Sequence, residues 1–253
     1  MKDDETAIQK SMIPKRLHYV WLSGDPLPEL MVQCRDSWTK WLPDYEWVLW
    51  DQKKIEGIEN EWLKQTLQTR NYAFATDFIR IHALYNYGGI YLDADVEMTG
   101  SLDPFLKHPF FIGFEFNDDL EPAVFGSVAG HPLLKDLLEY YQQRNFIKEN
   151  KQCDLRPLPL IFNEKAIKFG FSPNGKPQLL KEGIQVYPCE YFSPKNLFFK
   201  KFKTTDKTVA IHHLVSGWVK KGWRHKIKIL FHQLLYIIGG KRFHARVVSI
   251  IRH

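Results

Sequence analysis

The segment YGGIYLDADVE, residues 87–97, contains two aspartates, Asp93 and Asp95, separated by one alanine. The apolar run IYL predicts a short buried strand, and alternate residues of an extended segment point the same way. Both carboxylates can therefore reach one divalent cation. Mg²⁺ and Mn²⁺ prefer hard oxygen ligands and are commonly bound through one or two carboxylates together with substrate phosphates. The DxD pattern thus favours a site for a metal and a diphosphate, although such patterns also occur by chance in turns.

The residues before this strand predict a helix. In NYAFATDFIRIHALYNYGG the large apolar residues recur at helical spacing, and the glycine pair at 88–89 marks a stop. On another face of the helix Asp77 and Arg80 lie three residues apart, as expected of a face that lines a cleft. The alternative is an ion pair on the surface, which contributes only about 0.2–0.5 kcal/mol.

The elements before that helix read as strand, helix, strand over residues 16–22, 29–40 and 46–51, which predicts a parallel α/β unit. FFIGFEF and AVFGSVAG predict further strands, and residues 131–146 an amphipathic helix. Residues 153–191 are rich in Pro, Gly and Lys and indicate no clear layout. In an open α/β sheet, ligands bind beyond the carboxyl ends of the strands, where Asp93 and Asp95 are expected.

Three separated blocks carry a resemblance to a known family: IPKRLHYVWLSG at 13–24, YAFATDFIRIHALYNYGGIYLDADVE at 72–97 and AIHHLVSGW at 210–218. Together they resemble glycosyltransferase family 32, whose sugar-binding region contains a DXD motif and which includes capsular polysaccharide transferases and yeast mannosyltransferases. More distantly, they look like the glucosyltransferase domain of the large clostridial toxins. The resemblance implies a GT-A-like, Rossmann-like α/β domain with a mixed central sheet that binds a nucleotide-sugar.

The resemblance also implies roles for individual residues. Trp21 matches a tryptophan that stacks on the nucleotide base, with Ser23 beside it; the alternative for Trp21 is a core position at a strand end. Asp77 is expected to reach the hydroxyls of the donor sugar, and Arg80 its sugar and diphosphate, since a guanidinium donates to several oxygens and stays charged. Asp93 is expected to bind the hydroxyls of the ribose or of the donor sugar. Asp95 matches the direct metal ligand.

The C-terminal block HHLVSGW matches a motif in which one side chain, and a serine three residues later, hold the metal and the diphosphate. By that spacing His213 and Ser216 are the expected ligands, and Trp218 closes over the departing phosphate. The toxins have a glutamate in place of His213, but imidazole also binds first-row metals. Adjacent residues of a strand point to opposite sides, so the sequence leaves open whether His212 or His213 faces the site.

The charge of the chain is divided unevenly along its length. Ten Lys or Arg and no acidic residue follow Asp206, which leaves 25 basic and 29 acidic residues before that point. We therefore expect a GT-A-type domain over residues 1–219 and a basic amphipathic helical segment over 220–253. This segment is expected to lie on an anionic membrane surface, because its basic and apolar residues suit the interface and none of its apolar runs is long enough to span a bilayer.

Three widely spaced cysteines predict neither a disulfide framework nor a zinc site, and the acidic start is unlike a secretory signal. The expected location of the protein is therefore the cytoplasm, at the inner face of the membrane. The expected activity is a metal-dependent transfer of a hexose to a saccharide or lipid-linked acceptor, in polysaccharide or glycan biosynthesis. The expected cofactors are Mn²⁺ or Mg²⁺ with a UDP-sugar as donor, and the resemblance implies retention of configuration.

Two other functions are compatible with the sequence. A metal-dependent phosphohydrolase would also use paired aspartates, with Glu97 as a third carboxylate, but it has no need of Trp21. A nucleic-acid-binding protein would use the basic tail with Trp218 and other aromatic residues as stacking platforms. The apolar residues of the tail recur at helical spacing, which favours a membrane or partner face, so we expect no nucleic acid partner.

Overall fold

Seven strands form one mixed sheet at the centre of the fold. The computed structural model describes residues 12–116, 118–196 and 201–215. The strands in this part are β1 (Arg16–Val20), β2 (Glu46–Trp50), β3 (Gly89–Leu92), β4 (Val96–Met98), β5 (Phe110–Phe114), β6 (Leu120–Ser127), β7 (Gln178–Leu179), β8 (Ile184–Tyr187), β9 (Lys195–Asn196), β10 (Lys201–Phe202) and β11 (Ala210–His212).

Five α-helices accompany these strands in the described ranges. They are α1 (Glu29–Trp41), α2 (Glu61–Gln68), α3 (Tyr72–Tyr87), α4 (Pro132–Gln142) and α5 (Leu158–Ile167). Short 3₁₀ turns cover Asp103–Phe105 and Lys181–Gly183. Within these residues, no helix is both long enough and apolar enough to cross a bilayer.

The central sheet has the order β2-β1-β3-β6-β5-β8-β7. β2, β1 and β3 run parallel to one another, as do β5 and β8. β6 runs antiparallel to both of its neighbours, β3 and β5. The expected α/β class with a mixed central sheet is therefore confirmed, and the strand, helix, strand unit is β1, α1 and β2.

Most of these elements lie within a few residues of the positions expected from the sequence. The strand expected to end on Asp93 instead ends at Leu92, so that Asp93 is the first residue beyond it. Within residues 153–191, for which no layout was expected, the structure has α5, β7 and β8. The expected helices of 220–253 lie outside the described residues.

Two apolar clusters cover the two faces of the sheet. Successive residues of β3 show the division: Tyr91 belongs to one cluster, with α2, α3, α4 and α5, whereas Ile90 and Leu92 belong to the other, with α1 and β4. This is the two-residue alternation expected of a strand buried on both sides. Because both faces of the sheet are covered in the described residues, a ligand can reach the sheet itself at the ends of its strands.

The glycine pair 88–89 joins α3 to β3. The Gly88 N–H donates to the Leu84 carbonyl at 2.9 Å and closes the last turn of the helix. Gly88 and Gly89 have φ of 62° and 114°, values that side-chain-bearing residues rarely adopt. A Cβ on Gly89 would lie 2.5 Å from the Arg16 carbonyl oxygen of β1. The absence of a side chain thus lets β3 approach β1 and sets where Asp93 emerges.

We therefore expect Gly89→Ala to destabilise the protein by about 3 kcal/mol or more, since the new methyl group meets a backbone atom in addition to the strain of positive φ. Gly130→Ala is the matched control, because Gly130 also has a positive φ of 73° but nothing lies within 4 Å of the place its methyl group would take. It should lose only about 1–2 kcal/mol. Urea unfolding of both variants measures the difference, and equal losses would contradict the steric account.

Candidate active site

The backbone turns sharply after β3 and presents the DxD motif at the end of the sheet. The Asp93 N–H donates to the Ala123 carbonyl at 2.9 Å, and the Val96 N–H donates back to the Asp93 carbonyl at 3.0 Å. The Tyr91 hydroxyl donates to Asp93 Oδ1 at 2.8 Å. Asp93 is therefore held through both its backbone and its carboxylate before any ligand binds.

Arg80 lies buried behind the aspartates, with 7% of its surface exposed. Its Nη2 is 3.1 Å from Asp93 Oδ1 and 3.4 Å from Asp77 Oδ1. Its Nη1 donates to the Pro122 carbonyl at 2.8 Å, and the guanidinium lies 4.6 Å from the centre of the Tyr91 ring. The Asp77–Arg80 pair thus lies inside the fold next to Asp93, and the alternative of a surface ion pair does not hold.

β11 brings a histidine to the aspartates by pairing antiparallel with β4, so that His212 lies opposite Val96. The Nε2 atom of His212 is 3.3 Å from Asp95 Oδ1 and 4.0 Å from Asp93 Oδ2. Asp95 Oδ2 also accepts the Val215 N–H at 2.7 Å. One ligand atom from each of Asp93, Asp95 and His212 lies within 4.8 Å of the others, as a metal site requires.

His213, the histidine chosen by motif spacing, does not join this group. Its backbone N–H donates to the Asp95 carbonyl at 3.0 Å, but its ring Nε2 lies 2.9 Å from Glu97 Oε2. Neighbouring residues of a strand point to opposite sides, so only one of the two histidines can face the aspartates. The structure therefore brings His212 to the aspartates and His213 to Glu97, which favours His212 of the two histidines that the sequence left open.

The sequence interpretation missed Glu121, whose Oε1 lies 3.3 Å from His212 Nδ1. Glu121 and Pro122 interrupt the otherwise apolar β6, where the pairing with β5 shifts: Ile112 lies opposite Phe125, but the next residue, Gly113, lies opposite Glu121. Such an irregularity re-aims side chains. A charged residue next to a proline inside an apolar strand is the signal that would have indicated it.

The remaining expected residues are less closely tied to this group. The Trp21 N–H donates to the Trp50 carbonyl at 3.0 Å, which continues the pairing of β1 with β2, and its indole Nε1–H donates to the Asp25 carbonyl at 2.7 Å. Ser23 Oγ accepts the Asp25 N–H at 3.1 Å. Since β1 and β3 are parallel neighbours, Trp21 follows β1 at the same edge as Asp93. Ser216 and Trp218 lie outside the described residues.

The buried charges of the site shift one another's pKa values. Burial raises the pKa of Asp77 to about 7 despite the nearby Arg80, and it also raises that of Asp93, partly offset by Arg80 and His212. Burial opposes ionisation of Asp95 too, but contacts with His212 and the Val215 N–H lower its pKa. For His212, burial is outweighed by Glu121 and Asp95, which raise the pKa. Asp95 is therefore the aspartate best held as an anion.

Comparisons with known proteins identify the family. Residues 28–112 match the family described as "Glycosyltransferase sugar-binding region containing DXD motif". Inositol phosphoceramide mannosyltransferase 1 of Schizosaccharomyces pombe is 30% identical over 249 residues, which cover 92% of this chain and 73% of that protein. The chain belongs to the DXD glycosyltransferase family.

Other relatives match over shorter stretches. Inositol phosphoceramide mannosyltransferase 3 of the same yeast is 35% identical over 130 residues, half of this chain and 36% of that protein. The chain thus spans little more than a third of that relative. Among solved structures, the PaToxG glycosyltransferase has 16% identity and a TM-score of 0.47 over 66% of this chain and 75% of its own.

Family membership and the mixed seven-stranded sheet confirm the GT-A-like fold class expected from the sequence. The matched region of the DXD glycosyltransferase family runs through α3, β3 and both aspartates but stops before β6 and β11. Glu121 and His212 therefore lie beyond the segment that carries the family pattern.

The raised pKa of Asp77 gives a prediction about stability. Between about pH 4, where an aspartate titrates in the unfolded chain, and about pH 7, the folded state binds more protons than the unfolded state. The free energy of unfolding contributed by this group therefore falls as pH rises through that window. We expect Asp77→Asn to be more stable than the parent at pH 8, on the order of 2 kcal/mol, with a smaller difference at pH 5.

Urea unfolding at the two pH values measures this effect. Asp103→Asn is the control, because Asp103 is an exposed carboxylate paired with Lys15 at 2.8 Å and its pKa is lowered, with the Lys15 and Tyr45 hydrogen bonds outweighing desolvation. The free energy of unfolding of that variant should fall by up to about 1 kcal/mol, and its difference from the parent should be the same at pH 5 and at pH 8. A less stable Asp77→Asn at pH 8 would show that Arg80 needs the Asp77 charge more than burial penalises it.

Proposed function

We propose that this chain is a metal-dependent glycosyltransferase that moves a hexose from a nucleoside diphosphate sugar to a saccharide or lipid-linked acceptor. The observation that carries the proposal is the convergence of Asp93, Asp95 and His212, whose ligand atoms lie within 4.8 Å of one another. They do so beside a buried arginine and beyond the end of β3. A cation, an anionic leaving group and a sugar can all be bound at such a place.

The donor set fits the proposed Mn²⁺ or Mg²⁺. Two carboxylates supply hard oxygen atoms, and an imidazole is accepted by Mn²⁺ more readily than by Mg²⁺. Asp95 is held as an anion by its hydrogen bonds, so it needs no deprotonation to serve as a ligand. When bound, the metal would supply positive charge for the departing diphosphate.

In this proposal, residues of the chain itself stabilise the other charges and bind the donor. Breaking the bond between the anomeric carbon and the diphosphate leaves negative charge on the phosphate oxygens and positive charge on the sugar ring. Arg80 addresses the negative charge, since its guanidinium stays charged beside the aspartates. Asp77 and Asp93 orient the sugar hydroxyls. Trp21 stacks on the base of the nucleotide, and Ser23 lies beside it.

The transfer itself is proposed to retain configuration, with front-side attack by the acceptor hydroxyl. The family resemblance favours UDP as the nucleotide, whereas the names of the yeast relatives specify transfer of mannose to inositol phosphoceramide. A lipid-linked or membrane-bound acceptor is consistent with those names. Incubation of the purified chain with Mn²⁺ and a panel of UDP- and GDP-sugars, scored for release of the nucleotide and for the anomer formed, distinguishes these donors.

We expect Asp95→Asn to reduce turnover of the donor at least about a hundredfold, because the best ionised ligand of the cation is lost. The fold should persist, since asparagine can still accept the Val215 N–H. Asp44→Asn, which removes an exposed carboxylate elsewhere, should keep the parent activity. Donor turnover with Mn²⁺ and with excess chelator completes the measurement, and full activity in chelator would refute metal dependence.

The segment 220–253 is proposed to lie on an anionic membrane surface, where it would bring the site close to a membrane-bound acceptor. The support is its sequence: nine Lys or Arg without an acidic residue, with apolar residues recurring at helical spacing. Buried apolar area and about 1 kcal/mol for each nearby basic residue would then combine at the interface.

Flotation with liposomes tests this placement. Binding should require anionic lipid and weaken with added salt, since charge supplies part of the affinity. A chain ending at Lys221 should lose binding but keep donor hydrolysis. Indifference of the intact chain to anionic liposomes, with unfolding of the shortened one, would assign the segment to the core instead.

A further inference from the structure

Glu121 is a buried carboxylate that the proposed chemistry does not use. It is 6% exposed, and it stands where the pairing of β6 with β5 shifts its register. In the described residues its ion pair is with His212, whose Nδ1 lies 3.3 Å from Glu121 Oε1. Removing a carboxylate from water costs several kcal/mol unless a partner compensates it. The position of Glu121 therefore calls for a partner, and His212 is within reach.

The two nitrogen atoms of His212 face different groups. Nε2 faces the carboxylates of Asp95 and Asp93, whereas Nδ1 faces Glu121. Nδ1 is fully buried and makes no hydrogen bond of regular geometry with the described residues, so that Glu121 is the acceptor toward which a small ring rotation would direct it. Glu121 is not itself part of the group of candidate metal ligands. It stands behind the imidazole, on the side away from the aspartates.

We propose that Glu121 is a positioning residue that accepts the Nδ1–H of His212, fixes the ring and leaves Nε2 free to bind a divalent cation. The inference rests on the proposed metal-dependent function and adds to it a residue outside the ligand set. A ligating histidine generally donates its other ring N–H to a carboxylate, carbonyl or water, and loss of that partner typically weakens metal binding about 10- to 100-fold.

The competing account is that His212 is a permanent imidazolium that joins Asp95 to Glu121, with no metal involved. Both accounts explain a loss of stability on removal of the Glu121 charge. They differ in Mn²⁺ affinity, because only in the positioning account does His212 bind the cation. They differ also in whether the effect of Glu121 passes through His212.

The test is the dissociation constant of Mn²⁺ for the full chain, with free Mn²⁺ counted by electron paramagnetic resonance. Glu121→Gln should weaken binding about tenfold or more while near-ultraviolet circular dichroism without metal stays like that of the parent. Glu97→Gln is the matched control, since Glu97 pairs with the neighbouring His213 at 2.9 Å. It should leave the Mn²⁺ affinity within about twofold. If Glu121→Gln misfolds, Glu121→Asp, which moves the carboxylate back by one methylene, takes its place with the same expected loss.

A double-mutant cycle decides whether Glu121 acts through His212. In a His212→Ala background, Glu121→Gln should cause no further loss of Mn²⁺ affinity. Equal losses in both backgrounds, or a parent-like affinity in Glu121→Gln, would overturn the inference. If the Glu97 variant weakens binding and the Glu121 variant does not, His213 is the ligand and the inference is also wrong. A parent chain that binds no Mn²⁺ refutes the proposed function itself, which keeps the two failures apart.

Discussion

The buried guanidinium of Arg80 is the interaction on which the arrangement of the site depends. It comes from α3, pairs with Asp93 after β3 and donates to the Pro122 carbonyl of β6. A buried charge is tolerated only when carboxylates and carbonyls replace the water it has lost. The relative positions of α3, β3 and β6 are therefore fixed by the need to compensate the buried charge of Arg80 as well as by packing. The tight Gly88–Gly89 connection determines where α3 delivers that charge.

The irregular pairing of β6 with β5 also places polar groups next to the aspartates. A regular strand would alternate its side chains between the two apolar clusters, whereas the shift at residues 121–125 presents a carbonyl to Arg80 and a carboxylate to His212. Polar groups on both sides of the aspartates are thereby supplied by one strand. The cost of interrupting an apolar strand in the centre of the sheet is offset by the buried charges that this strand satisfies.

Local signals explain what could be predicted from the sequence. Helical spacing and a glycine stop locate α3, and the apolar run before Asp93 locates β3, so the DxD and the Asp77–Arg80 face follow directly. The choice between His212 and His213 depends on the register of β11 against β4, where a slip of one residue exchanges the two side chains. The contact of Glu121 with His212 joins distant parts of the chain and depends on that register and on the shift in β6. A local pattern can mark Glu121 as unusual, but none encodes its contact with His212 or the choice between the two histidines.

The short ladder of β4 and β11 has a thermodynamic consequence. β11 pairs with β4 through three residue pairs, and so short a two-stranded ribbon is stable only because other parts of the fold pack against it and bond to it. Asp95 follows β3 and His212 ends β11, so a ligand bound to both bridges the ladder. By linkage, such a ligand stabilises the paired state by RT ln(1 + [L]/Kd), which is about 2.7 kcal/mol at a concentration roughly one hundred times its dissociation constant. Occupancy of the site and attachment of β11 are then coupled equilibria, and each reports on the other.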